Sequence, residues 1–280
     1  MLELMKGTQQ ERLERCLIYS DPKCGKTRLA TSLPERFGNL IYIAADEGSE
    51  NLAPVLSSYR GRLTVVRAGM GEGKKDLVGD YFEAACHNWK KDVPGANTLI
   101  WDTMTASARQ MLQHIADTGQ FSQEKHIVLG APGSAARQAI PMQGDYMAVQ
   151  NMLERLVALL FQQALHVLVL CHATFDEPQG GGSVEGGPAT AGKATVRSFP
   201  GRFDSVIHLE KQVTQSPGQA AKSTVVAHTE RHGIWSAGIR SQHPVNPMPK
   251  VVLESDPINF WNLYDQNFLQ PKEEVAGVSR

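Results

Sequence analysis

Apolar residues cluster in short solid runs along the chain, and between those runs they recur with a helical period. Arg15-Cys16-Leu17-Ile18-Tyr19, Asn39-Leu40-Ile41-Tyr42-Ile43-Ala44-Ala45 and Asn97-Thr98-Leu99-Ile100-Trp101 are such runs. Leu63-Thr64-Val65-Val66-Arg67 is a weaker one, and Leu165-His166-Val167-Leu168-Val169-Leu170-Cys171 is apolar on both faces. Solid runs of this length predict strands of a sheet covered on both sides. Lys26 to Phe37 has helical character, and Leu77, Val78, Tyr81, Phe82, Ala85 and Trp89 mark one face of a 3.6-residue period. Val149, Met152, Leu153, Leu156, Val157 and Leu160 predict an amphipathic helix between Tyr146 and Phe161. Strands alternating with helices predict the α/β class, with a mainly parallel central sheet flanked by helices. Ser205-Val206-Ile207-His208-Leu209 and Thr224-Val225-Val226-Ala227 predict further strands towards the C-terminus.

Two segments break this alternation. Residues 117–144 are polar, with Gly130, Pro132, Gly133 and Pro141, and residues 176–201 carry Gly180, Gly181, Gly182, Gly186, Gly187, Gly192 and Gly201. Both are expected to be long loops, which inside a compact domain are functional or disordered. The 280 residues suit a single domain with its core at about 12–265 and short extensions at either end.

Composition narrows the class. With 28 Lys+Arg against 29 Asp+Glu the net charge is −1, which excludes a uniformly basic nucleic-acid binder. No stretch approaches the roughly 18 uncharged apolar residues of a membrane span, and Met1-Leu2-Glu3-Leu4-Met5-Lys6 does not resemble a secretory signal. Cys16, Cys24, Cys86 and Cys171 form no CxxC pair, as expected of a reducing compartment. A cytoplasmic location with no membrane contact is therefore expected.

The sharpest chemical signal is Ser20-Asp21-Pro22-Lys23-Cys24-Gly25-Lys26-Thr27, between the first strand and the first helix. A P-loop reads G-x-x-x-x-G-K-[ST]: backbone N–H groups cradle phosphates, the Lys reaches the β/γ-phosphates, and the hydroxyl holds Mg²⁺. Gly25, Lys26 and Thr27 supply the last three positions, while Ser20 stands at the first glycine and Lys23 where many ATPases keep another. Gly-Lys also occurs at Gly73 and Gly192, but only Gly25-Lys26 precedes a Ser or Thr and joins a strand to a helix. Cys24, inside the loop, is either a thiol activated by the helix start or incidental.

Three further residues extend this site. Asp102 ends the strand run Thr98-Leu99-Ile100-Trp101; a carboxylate closing a neighbouring strand can reach the Mg²⁺ shell held by the P-loop hydroxyl. Asp46-Glu47-Gly48 follows the second strand, at the strand end where open α/β sheets bind ligands. An acid there either polarises an attacking water or serves as a helix cap. His172 ends the strand through Cys171 and opens onto the Gly-rich segment, where a polar group can touch the γ-phosphate or be a satisfied polar residue.

In order and spacing these pieces resemble the RecA-type recombination ATPases, in particular the short phage single-strand annealing or recombination members. The resemblance runs through Gly25-Lys26-Thr27, Ile43-Ala44-Ala45-Asp46-Glu47-Gly48, Leu99-Ile100-Trp101-Asp102-Thr103-Met104-Thr105, Val169-Leu170-Cys171-His172, and Gly192-Lys193 ahead of Phe203-Asp204. It implies a RecA-like P-loop core using ATP and Mg²⁺, with Lys26 on the phosphates, Thr27 and Asp102 on the metal, Glu47 orienting water, and His172 as a polar sensor. It further implies a homo-oligomer, ring or filament, with ATP between subunits and a late Arg240 acting in trans; Arg231 is a weaker candidate. The two long segments would be DNA-facing loops. Single-stranded DNA is the implied partner, with a single-strand DNA-binding protein as a further one.

Charge along the chain bears on that partner. Residues 190–250 hold eight basic residues (Lys193, Arg197, Arg202, Lys211, Lys222, Arg231, Arg240, Lys250) against Asp204, Glu210 and Glu230. Lys193, Arg197 and Arg202 are the candidate DNA contacts, because a positive stripe on Gly-rich backbone suits a phosphate strand bound without sequence reading. His228-Thr229-Glu230-Arg231-His232 is not a zinc-protease motif, since Glu follows the first His one place too late. On an extended strand those histidines lie roughly 13 Å apart, so no shared metal is expected. Other function classes remain open. A small-molecule P-loop kinase would show an Arg-rich lid, which the Gly-rich segment lacks. An AAA-type loader usually has Asp-Glu where this chain has Asp102-Thr103. Ser20 and Lys23 motivate a non-hydrolysing, nucleotide-dependent scaffold.

Overall fold

The computed structural model describes residues 13–45, 62–69, 76–119, 126–130, 138–177, 183–192, 195–215, 221–240, 250–253 and 257–266. Its strands are β1 (Arg15–Ser20), β2 (Asn39–Ala44), β3 (Leu63–Arg67), β4 (Ala96–Asp102), β5 (Val128–Leu129), β6 (Gln138–Ala139), β7 (His166–Asp176), β8 (Glu185–Ala189), β9 (Ser205–Thr214), β10 (Lys222–His228), β11 (Gly238–Ile239) and β12 (Lys250–Leu253). Its helices are α1 (Lys26–Thr31), α2 (Leu77–Cys86), α3 (Trp89–Asp92), α4 (Met104–Thr118), α5 (Gln143–Gln162), α6 (Thr195–Ser198) and α7 (Ile258–Tyr264).

The main sheet runs β12-β10-β9-β1-β7-β4-β2-β3, with β8 on β7 and β11 on β9. The pairings from β9 through β1, β7, β4 and β2 to β3 are all parallel. β10 and β12 extend the sheet antiparallel at the C-terminal side. This is the expected α/β architecture of a RecA-like core, a mainly parallel sheet continued by C-terminal strands. Alternating strand residues feed two apolar layers. Leu17, Tyr19, Ile41, Ile43, Trp101, Val167 and Val169 face α2, α4 and α5 through Tyr81, Met111, Ile115, Leu153 and Leu156. Cys16, Ile18, Leu40, Ile100, Leu168 and Ile207 face α1 and α7 through Leu29, Phe260, Trp261 and Tyr264. Solid apolar runs are therefore what the central strands need, because both of their faces are covered.

The elements depart from the sequence pattern in four places. The helix expected to reach Phe37 stops at Thr31, and residues 35–37 form a separate 3₁₀ turn; Pro34 disfavours a helical residue before it. The helix expected to reach Trp89 ends at Cys86 and restarts as α3, and the Trp89 indole N–H donates to the Ala84 carbonyl at 3.0 Å, meeting an acceptor that the helix end leaves open. The segment 117–144 is not simply loop. α4 fills it to Thr118, β5 and β6 pair across it, and α5 begins at Gln143, where the buried Asp145 accepts the Met142 N–H at 2.7 Å and contacts His126 at 2.6 Å. The described residues of the segment 176–201 likewise form regular structure. β8 pairs with the extension of β7 from His172 to Asp176, and its glycines serve close packing: a Cβ on Gly186 would lie 2.2 Å from the Trp235 ring, and one on Gly187 2.7 Å from the Val196 carbonyl oxygen. Among the described residues no helix is long and apolar enough to cross a membrane.

Candidate nucleotide site

The C-terminal ends of four parallel strands meet at one edge of the sheet. Ser20 at the end of β1 lies in register with His172 of β7, Leu170 of β7 with Asp102 of β4, and Asp102 with Ala44 of β2. Asp102 is thus not on the strand next to the P-loop strand, as expected; β7 lies between them. The two still meet, because Thr27, in the first turn of α1, reaches over β7 to Asp102. Thr27 Oγ1 donates to Asp102 Oδ2 at 2.7 Å, and the Tyr42 hydroxyl donates to the same oxygen. Asp102 is buried. Its backbone carbonyl accepts the Ala45 N–H at 2.8 Å, which fixes the start of the chain leaving β2.

The loop itself adopts the turn its glycines usually provide. Gly25 has φ +83° and open space where a Cβ would lie, so the conformation and not the room favours glycine there. Lys23 has φ 64°, a left-handed backbone in a non-glycine residue, which costs about 1–2 kcal/mol. The departure at position 23 therefore leaves the loop shape intact at an energetic cost. Ser20 is fully buried; its Oγ donates to the Asp21 carbonyl at 2.7 Å and accepts from Lys26 Nζ at 3.0 Å. Lys26 Nζ also donates to the Ser20 and Asp21 carbonyls at 3.2 and 3.1 Å. Burial lowers the Lys26 pKa, and the nearby Asp102 carboxylate opposes that shift. A buried ammonium held by three oxygens at the head of a helix fits a polyphosphate ligand, which would give that cation its counter-charge.

The remaining expected residues divide clearly. Pro22 and Cys24 lie within the loop, and Cys24 is buried in the apolar layer beneath it, with Sγ 3.9 Å from the Pro22 carbonyl oxygen. A buried thiol packed in this way does not support the reactive reading. His172 sits between the P-loop and β8, paired in register with both Ser20 and Ala189. Its backbone N–H donates to Thr105 Oγ1 at 2.9 Å, and that hydroxyl donates to the Ala189 carbonyl at 2.5 Å. Glu47 and Lys193 lie outside the described residues. Arg240 is at the opposite end of β1 from the P-loop: its N–H donates to the Asp204 carbonyl at 2.7 Å, and the Asp204 N–H donates to that of Arg15, the first residue of β1, at 2.9 Å. Its guanidinium donates to the Gly201 carbonyl at 2.6 Å. It is not brought to the P-loop of its own chain, and Arg231 is exposed beyond β10.

Arg197 and Arg202 are half-exposed, and both carry carboxylate partners. Arg197 Nε lies 2.9 Å from Glu185 and its Nη2 3.8 Å from Asp176, and Arg202 lies 2.7 Å from Glu154. The expected separation of His228 and His232 is overturned. The chain turns after β10 instead of continuing extended, His232 and Trp235 exchange backbone hydrogen bonds, and the two imidazole centroids lie 3.5 Å apart. Among the described residues, Tyr42 and Thr105 are the site residues the sequence did not single out. A hydroxyl-tipped aromatic within an otherwise apolar strand end was the available signal for Tyr42.

Residues 13–241 match a family model described as an AAA domain. No curated protein sequence matches the chain. Among solved structures, the crystal structure of the RadB recombinase aligns with a TM-score of 0.44 at 14% identity, over 88% of this chain and 90% of that one. The match to an AAA domain also removes the force of Asp102-Thr103 as an argument against AAA-type proteins.

Proposed function

The chain belongs to the AAA domain family, and from that premise we propose that it binds and hydrolyses ATP with Mg²⁺ and acts on single-stranded DNA, in recombination or strand annealing. One observation carries the nucleotide half of this reading. Thr27 Oγ1 and Asp102 Oδ2, from elements separated by β7, stand 2.7 Å apart. A hydroxyl and a carboxylate held together beside a buried lysine are the pair that a P-loop enzyme uses to share one Mg²⁺. When bound, Mg²⁺–ATP supplies a phosphoanhydride ready for in-line attack. Lys26 would give its loop oxygens up for phosphate oxygens, Thr27 and Asp102 would hold the metal, and Tyr42, through its hydrogen bond, would keep the Asp102 carboxylate oriented. Glu47 is proposed as the residue that positions water. His172, linked to β8 through Thr105 and Ala189, is proposed to pass the state of the nucleotide to the segment after β8.

The DNA half rests on the resemblance and on the basic residues after β8, and the assembly on the place of Arg240. An arginine at the far end of β1 suits a neighbour's site better than its own, so subunits stacked head to tail would bring it to ATP. The family match favours a second reading, an AAA-type loader or remodeller that works on a protein–DNA complex. ATP turnover measured with and without single-stranded DNA tests both. Stimulation by bare single strands, lost in Lys26→Ala, supports the first reading. Turnover indifferent to DNA and stimulated by a protein–DNA complex supports the second. Phosphate transfer to a metabolite sinks both, and nucleotide binding without turnover under any condition leaves the scaffold reading.

A further inference from the structure

A polar cluster beside the P-loop strand plays no part in the nucleotide site. The β9–β10 ladder places His208 opposite His228 and Glu210 opposite Val226, so His208 and Glu210 project from one face of β9. After His228 the chain folds back through a tight turn at Gly233, φ +54°, and lays the His232 ring over that of His228. Glu210 Oε2 then lies 3.0 Å from His228 Nε2, and His232 Nε2 lies 2.8 Å from His208 Nδ1. One donor atom from each of Glu210, His228 and His232 falls within 4.8 Å of the other two. Trp235 closes the other side by stacking on His208 at 4.6 Å.

We propose that Glu210, His228 and His232 form a binding site for one borderline transition-metal dication, zinc by preference, with His208 as a positioning residue that orients the His232 ring. Two imidazoles and a carboxylate are the donor set such ions take, with water free to complete a tetrahedron. Mg²⁺ prefers an all-oxygen shell, so this site is chemically distinct from the Thr27–Asp102 pair. Tetrahedral bonds of about 2.0–2.1 Å put donors about 3.4 Å apart. The widest gap here therefore closes by about 1.4 Å at most, within reach of the half-exposed Glu210 side chain. A ligated His–His–Glu set would pin the 229–235 turn to β9, and with it Trp235, which packs against Gly186 of β8. The proposal does not depend on the nucleotide reading, and its readouts use no ATP.

The test uses the full chain with any histidine tag removed and Cys86, an exposed thiol, changed to Ser. The chelator-stripped protein is titrated with Zn²⁺ by calorimetry in excess Mg²⁺, and with Co²⁺ followed by visible absorption. One ion per chain is expected, with the intense d–d bands of four-coordinate Co²⁺. Glu210→Gln and His232→Ala are each expected to weaken binding about tenfold or more, and His208→Gln less than either ligand change. His87→Ala, at an exposed His87–Asp92 pair, should change nothing. If His232→Ala fails to fold, the nearly isosteric Glu210→Gln decides. Failure to saturate at one ion per chain, unchanged affinity in Glu210→Gln, or loss of the site in His87→Ala would each overturn the proposal.

Discussion

Lys23 and Gly25 measure the same conformational energy from opposite sides. Both hold positive φ, 64° and 83°, in a loop whose shape the nucleotide site depends on. A side chain in that region costs about 1–2 kcal/mol, while glycine gives the unfolded chain extra entropy worth about 0.4–1 kcal/mol. Lys23→Gly relieves the first and incurs the second, so the fold should gain about 0.7 kcal/mol. Gly25→Ala does the reverse. A Cβ there meets nothing within 4 Å, so no clash adds to the loss and the magnitude should match. For a chain of this size that is about 2 °C up for Lys23→Gly and about 2 °C down for Gly25→Ala. Scanning calorimetry and urea midpoints of the nucleotide-free protein read both. Lys23→Ala, which removes the charge but keeps a Cβ, should sit near wild type. Shifts of the same sign in Lys23→Gly and Gly25→Ala would refute the argument, as would a Lys23→Ala shift as large as that of Lys23→Gly.

Tyr42→Phe removes a hydrogen bond to the buried Asp102 carboxylate and should destabilise the protein by about 1.5 kcal/mol, while raising the Mg²⁺ concentration needed for half-maximal nucleotide binding; unchanged urea midpoint and Mg²⁺ dependence would remove Tyr42 from the site. His166 accepts the Glu14 N–H at Nδ1, and burial, with Arg36 and Lys90 nearby, lowers its pKa from 6.5 to about 4. The unfolded chain takes up that proton first, so the associated stability is full above pH 6.5 and is lost as pH falls towards 4. Discounted for partial exposure the loss is about 1–2 kcal/mol. His166→Gln keeps an acceptor without a titration and should flatten the urea-midpoint profile in that window, and an unaltered slope would contradict the assignment. Mixing Arg240→Ala with Lys26→Ala subunits should restore part of the ATPase activity each lacks alone if the site is shared between chains; no rescue would argue against a trans role.

The central strands were legible because burial on both faces leaves an unbroken apolar run. Arg15–Tyr19, Asn39–Ala45 and Asn97–Trp101 each match their strands to within a residue. Two of the failures, α4 and β8, have a common cause. α4 buries Met104, Ala108, Met111 and Ile115 while its other face carries Arg, Gln, His and Asp, so only a thin apolar stripe marks it. β8 reads as loop because Gly186-Gly187-Pro188 has no strand propensity; the strand exists because Trp235 and Val196 press against backbone that only glycine leaves bare. In both cases tertiary packing sets the structure and local composition conceals it.

The site divides along the same line. Gly25-Lys26-Thr27 could be read from order alone, since a strand, a turn and a helix in sequence place them. The pairing of Thr27 with Asp102 was also expected, but not that β7 lies between their strands, and the meeting of His228 with His232 needed a turn that an extended strand would exclude. The basic stretch shows the limit most directly. A window from 190 to 250 counts only the charges it contains, yet the carboxylates on Arg197 and Arg202 come from Asp176, Glu185 and Glu154, all earlier in the chain. The β7–β8 pairing and the α5 surface fold those acids onto the stretch, so its surplus along the chain is smaller in space. Exposed pairs of this kind are weak, under about 1 kcal/mol each, and a phosphate can displace a carboxylate from arginine. A DNA strand reaching Arg197 or Arg202 must therefore replace an existing partner, and a motion of β8 that separates Arg197 from Glu185 would lower that barrier. His172, joined to β8 through Thr105 and Ala189, stands where such a motion could be coupled to the nucleotide.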